Sequence, residues 1–111
     1  MASPDDELFR MLADPTRRHI LDLLAGKGPL TVGQIASEFP HLVTSGISKH
    51  LMALRAAGLV TAARRGRERL YAIDEHAMTE ALRPWVANYE RFWSAAFDRL
   101  KTLSEQTDPQ R

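Results

Sequence analysis

The sequence predicts one mainly α-helical domain that carries a single small β-hairpin, and three features of the chain lead to that class. Cap-then-proline signals open helices along the first third. The stretch SGISKHLMALRAAGLV, from Ser45 to Val60, has a helical apolar spacing that stops at a glycine, and the overlapping LVTAARRGRERLYAI that leads on from it reads as two strands. With 111 residues, a single domain spanning 1–111 would bury roughly 65% of its unfolded surface, which leaves a thin core and makes a partner subunit useful.

Taken in order, Ser3, Pro4 and the acidic run Asp5, Asp6 and Glu7 supply an N-cap, a first-turn proline and charges suited to the positive end of a helix dipole, so a first helix runs to about Ala13. Asp14-Pro15 repeats the signal for a second helix, with Ile20, Leu21, Leu23 and Leu24 on its apolar face and Gly26 and Gly28 at its end. Thr31 and Gln34 have capping-box spacing and open a short helix that buries Ile35, Ala36 and Phe39 before Pro40. Thr44 or Ser45 caps the next helix, over about 44–57, with Ile47, Leu51 and Leu54 inward and Gly58 where a left-handed residue is needed. Two helices joined by a short turn form a helix-turn-helix. A type II′ turn at Arg65-Gly66-Arg67-Glu68 closes a hairpin over about 59–73. Asp74 caps a final helical region over about 75–105, in which Pro84 is expected to separate a short segment from a long helix covering Trp85 to Leu103.

Charge is distributed unevenly. Net charge is only +1, yet residues 1–43 carry −2, residues 44–73 carry +5 and residues 74–111 carry −2. No cysteine is present, which excludes disulfides, thiolate metal sites and thiol redox chemistry. The first residues lack a basic-then-apolar leader, and no apolar run approaches the ~18 residues of a membrane helix, so a cytoplasmic protein with no membrane partner is expected. A glycine-rich phosphate loop, a thiol nucleophile and a convincing acid/base pair are all missing, and no enzyme activity is expected.

The basic middle third holds the candidate chemistry. On a helical wheel Ile47, Leu51 and Leu54 cluster, while Ser45, Lys49, Met52 and Ala56 lie opposite and Ser48 sits on one flank. A small, polar start suits a helix that enters a DNA major groove, although the same residues also suit a solvated surface. Arg64, Arg65, Arg67 and Arg69, within six residues, would reach phosphates or a minor groove beside it; a charged strand edge is the plainer account. Helix-turn-helix followed directly by a basic hairpin is more specific than either part.

Four stretches, LADPTRRHILDLL, TVGQIASEF, SGISKHLMALRAAGLV and RRGRERLYAI, stand in an order that resembles the ArsR-type winged-helix transcriptional regulators over nearly the whole chain. The resemblance implies a winged helix-turn-helix of about five helices plus a two-stranded wing, dimeric through its first and last helices, binding double-stranded operator DNA and usually repressing. It implies recognition-helix contacts from Thr44, Ser45, Ser48 and Lys49 and wing contacts from Arg65, Arg67 and Arg69. His50 matches the family's histidine and is expected to be structural or close to phosphate. Arg17 and Arg18 match the basic start of the second helix, where either a salt bridge or a phosphate contact is open. A winged-helix module that binds an acidic protein partner instead of DNA is the alternative.

Many relatives sense soft metals through cysteines, which this sequence lacks, so no metal site or cofactor is expected. His76 and Glu80 have i, i+4 spacing, but the helix after Pro84 holds no histidine, and surface residues are the expectation there. Five of the eight aromatic residues fall within thirteen positions, and the apolar stripe is wider than a small domain covers alone. Trp85, Tyr89, Phe92, Trp93, Ala96, Phe97 and Leu100, with Leu8, Phe9 and Leu12 of the first helix, are therefore expected to form a homodimer interface. That aromatic interface leaves room for a small-molecule effector.

Overall fold

The computed structural model describes residues 4–106, so the expected Ser3 cap lies outside the described residues. Among the described residues, six helices and three strands follow one another: α1 (Pro4–Leu12), α2 (Pro15–Lys27), β1 (Leu30–Thr31), α3 (Val32–Ala36), α4 (Thr44–Ala56), β2 (Val60–Arg65), β3 (Glu68–Ile73), α5 (Glu75–Ala87) and α6 (Glu90–Gln106). The strands form one antiparallel sheet in the order β1-β3-β2.

Local chemistry accounts for most boundaries. Asp14 Oδ1 accepts from the backbone N–H groups of Thr16 (2.8 Å) and Arg17 (3.2 Å), so α2 starts beside Pro15 with two of its orphan donors satisfied. The capping box of α3 is complete: Gln34 N–H donates to Thr31 Oγ1 at 3.1 Å and Thr31 N–H donates to Gln34 Oε1 at 2.9 Å. Asp74 caps α5 through the N–H of Ala77. At the end of α4, Gly58 N–H reaches Arg55 O and Leu59 N–H reaches Leu54 O, the paired bonds of a Schellman motif. Gly58 makes it feasible with φ of 81°, and the buried Leu54 and Leu59 supply the accompanying apolar contact.

Four expectations are corrected. The cap of α4 is Val43, which offers no side-chain hydrogen bond, and Thr44 and Ser45 lie inside the first turn. Gly26 lies within α2, which ends at Lys27 with Gly28 as its C-cap. The wing gains a third strand, because Leu30 and Thr31 pair with Tyr71 and Leu70; a strand of two residues, the second of them the cap of α3, is too short to show a periodicity. Pro84 does not divide the last region. It sits within α5, and the chain breaks at Asn88 and Tyr89. Ala81 is buried and Trp85 packs edge-on against Phe9 at 5.5 Å, so packing on both sides holds the helix through a proline that removes one backbone bond.

The core is one cluster drawn from α1 to α5 and the sheet, with Leu8, Ile20, Ile35, Ile47, Leu51 and Leu54 its largest fully buried members. α6 contributes none of it. The Cα radius of gyration is 17.7 Å, against about 13 Å for a compact domain of this length. The shape is elongated, as expected when a helix of 17 residues adds nothing to the core.

Candidate nucleic-acid interface

The recognition-helix candidate is anchored from beneath. Ile47, Leu51 and Leu54 of α4 are each 0% exposed, and α4 packs against α2, α3 and β2. Fixing these side chains fixes the helix's rotation, so Ser45, Lys49 and Met52 are exposed together on the opposite side, and Thr44 is exposed at the start of the helix. Ser48 and His50 are half-buried on the flanks. The helical spacing read from the sequence and the observed faces therefore agree.

The wing gives its four arginines different surroundings. Gly66 takes φ of 63° and no non-glycine residue among those described has positive φ, as a type II′ turn requires. The resulting register sets Arg64 opposite Arg69 and Arg65 opposite Glu68. Since alternate residues share a face, Arg64 and Arg69 lie on the side that carries the buried Val60 and Tyr71, whereas Arg65, Glu68 and Leu70 lie on the other. On that second side Arg65, Gly66 and Glu68 border a groove of about 560 Å³ with Thr31 and Gln34. All four arginines are exposed, and none is in an ion pair with a described residue. A like-charged pair directly across a sheet is unfavourable by itself, which marks the Arg64–Arg69 end of the hairpin as a surface suited to an anion.

Sequence reasoning left Arg17 and Arg18 equivalent, and the structure separates them. Arg18 Nη1 donates to the carbonyl of Leu12 at 2.6 Å, tying off the end of α1. Arg17 turns the other way: its Nε donates to Nδ1 of His50 at 3.3 Å and its Nη1 approaches Met11 Sδ at 3.8 Å. His50 is thus a partnered residue that joins α4 to α2. Asp14, beside this pair, is partly desolvated, which raises its carboxyl pKa. The N–H bonds from Arg17 and Thr16 and the positive charge of Arg17 outweigh that and hold it below the usual carboxylate value.

Towards the C-terminal end, Phe9, Trp85, Tyr89, Phe92 and Trp93 form a chain of ring contacts, and each is 36% exposed or more. Farther along α6, Phe97 and Leu100 are 65% and 61% exposed, and Ala96 is half-buried. Of the proposed interface residues in α1, Phe9 is at the surface, Leu12 is half-buried and Leu8 is 1% exposed. Leu8 therefore belongs to its own chain's core and supports that surface only from below. Glu80, spaced for metal binding with His76, is instead hydrogen-bonded to Arg83 at 2.7 Å, which together with the guanidinium charge lowers its pKa. No cluster of three or more metal-ligating side chains occurs among the described residues.

Comparison with known proteins places this architecture. A family model described as a helix-turn-helix domain matches residues 12–62. The transcriptional repressor SdpR of Bacillus subtilis is 34% identical over 84 residues, covering 76% of this chain and 90% of SdpR. The HTH-type transcriptional regulator Rv2034 of Mycobacterium tuberculosis is 38% identical over 91 residues, covering 82% of this chain and 79% of that protein. Among solved structures, the crystal structure of the ArsR family transcriptional regulator RHA00566 aligns with a TM-score of 0.69 at 33% identity, covering 83% of this chain and 98% of that one. The solution structure of the homodimeric winged helix-turn-helix DNA-binding domain of Mb0332 from Mycobacterium bovis aligns with a TM-score of 0.59 at 34% identity, covering 75% and 77%. Shared sequence along most of these relatives' length, together with the helix-turn-helix and basic wing, leads to one conclusion: the chain belongs to the ArsR family of winged helix-turn-helix transcriptional regulators.

Proposed function

We propose that this regulator works as a cytoplasmic homodimer that occupies an inverted-repeat operator and represses by excluding polymerase, with no catalytic step. One observation carries the reading: the polar start of α4, set by three fully buried anchors, stands beside a hairpin whose four arginines are exposed and lack ion-pair partners among the described residues. Thr44, Ser45, Ser48 and Lys49 contact base edges and the flanking backbone, and Arg64, Arg65, Arg67 and Arg69 contact phosphates or the adjacent minor groove. Affinity comes mainly from the cations and sequence choice from the few residues at the start of the helix, helped by DNA shape.

Dimerisation supplies the spacing. The aromatic surface of Phe9, Trp85, Tyr89, Phe92 and Trp93 is contiguous through its ring contacts, and together with the exposed Phe97 it is apolar and largely uncovered in a single chain, which supports a two-fold contact between copies. Two recognition helices related by that axis would enter successive major grooves about 34 Å apart. SdpR is named a repressor, and the Mb0332 domain is named homodimeric; both favour the same reading here.

Selection of duplexes from fragmented genomic DNA with the purified protein, followed by salt titration of the best binder, tests the function and returns the operator. Affinity that falls steeply with salt and is abolished in an Arg65→Glu, Arg67→Glu variant is expected. A parent protein that enriches no DNA, or a double variant that binds equally well, would overturn the reading in favour of an interaction module for an acidic protein.

A further inference from the structure

Arg17 is a half-buried cation at the start of α2, and no carboxylate lies within ion-pairing distance of it among the described residues. Its two protein partners are both neutral acceptors: Nδ1 of His50, which must be unprotonated to accept, and the thioether of Met11. Both hydrogens of Nη2 have no protein acceptor among the described residues. The nearby Asp14 carboxylate bonds backbone N–H groups instead. Holding a guanidinium in place through neutral groups, with no direct ion pair to a described carboxylate, leaves its donors open to an anion, and the holder is a residue of the recognition helix, one position after the exposed Lys49.

We propose that Arg17 binds a DNA backbone phosphate at the rim of the groove that α4 enters, with His50 as the positioning residue that aims its guanidinium. The inference rests on the DNA-binding reading above and assigns α2 a part in it. A phosphate oxygen meets the two free N–H groups of Nη2 in a charge-assisted contact, while the Nε bond to His50 sets the guanidinium's direction. Because the bond joins residues 33 positions apart in α2 and α4, the phosphate contact and the recognition helix are carried on one rigid pair. The position of that phosphate then constrains how α4 sits against the bases.

The test uses the full chain and a duplex that the parent selects from a randomised pool, with affinity measured across a salt series and thermal unfolding followed on each variant. Arg17→Gln is expected to lose about tenfold in affinity and to flatten the dependence of log affinity on log salt by about one unit per protomer. His50→Leu is expected to weaken binding while leaving that slope near the parent's, since the charge stays but its aim is lost. His50→Asn, which keeps an acceptor near the Nδ1 position, is expected to restore most of the affinity. Arg17→Gln with the parent's slope overturns the phosphate contact, whether or not affinity falls. Equal binding by His50→Leu and His50→Asn overturns the positioning role. A parent that selects no duplex at all fails the DNA-binding reading itself, and this proposal with it.

Discussion

Lys49 and Arg67 are both exposed cations, yet they occupy different supports and should fail differently. Lys49 stands on a helix whose rotation is fixed by Ile47, Leu51 and Leu54, so Lys49→Ala is expected to lower operator affinity and alter sequence preference. Arg67 sits in the hairpin turn, and Arg67→Ala is expected to weaken all duplexes more evenly and flatten the salt dependence. Binding to a panel of single-base operator variants across a salt series measures both. Arg64 faces Arg69 across the strands, so Arg64→Thr should raise stability by about 0.2–1 kcal/mol in urea unfolding while reducing DNA affinity. Asp14 provides a pH signature. Its folded-state carboxyl titrates below the ordinary aspartate value, so the unfolded chain takes up the proton more readily. Its stabilising contribution is complete above that value and disappears as pH falls through the lower folded one. Unfolding midpoints measured between about pH 2 and 5 should therefore decline more steeply in the parent than in Asp14→Ala. The effect should be small, because the carboxyl is largely solvated.

At the scale of elements, capping separates α4 from its neighbours. α2, α3 and α5 each begin with a side chain that accepts from their first turn, whereas α4 begins at Val43, 70% exposed and without such a bond. Its backbone already has the extended conformation of an N-cap, with φ −82° and ψ 152°. Val43→Ser should thus stabilise the domain by about 1 kcal/mol, measurable by urea denaturation; no change would mean that another group satisfies these donors. The sequence placed that cap one or two residues late, since Thr44 and Ser45 are both good capping residues and only the path of the preceding turn distinguishes them. Pro84 misled for a related reason. Proline lowers the stability of a helix interior, but Trp85 against Phe9 and the burial of Ala81 outweigh the loss, and neither contact is visible in local sequence.

At the scale of the whole molecule, α6 extends an apolar face away from the core of its own chain. Phe92, Phe97 and Leu100 are each more than half exposed, and the helix is about 25 Å long, enough for an extended contact with a second copy. Trp93→Glu with Phe97→Glu is expected to convert a dimer into monomer or aggregate in light scattering, with operator affinity falling because paired half-sites are no longer read together. A soluble dimer of unchanged stability would exclude this surface as the interface. Leu8, although adjacent in sequence to Phe9, should act differently: as a core residue, Leu8→Ala would lower stability by about 2–5 kcal/mol.

The sequence by itself determined the order of the first four helices and the hairpin, the three inward residues of α4, the hairpin turn at Gly66 and the family. Each of these depends on local rules: caps, apolar spacing, and a glycine where φ must be positive. Tertiary structure alone decided which arginines share a face, that Arg18 closes α1 while Arg17 reaches His50, that Leu30 and Thr31 form a strand, and that Leu8 is core. These depend on strand register and on contacts between residues far apart in the chain, for which single-chain periodicity carries no signal.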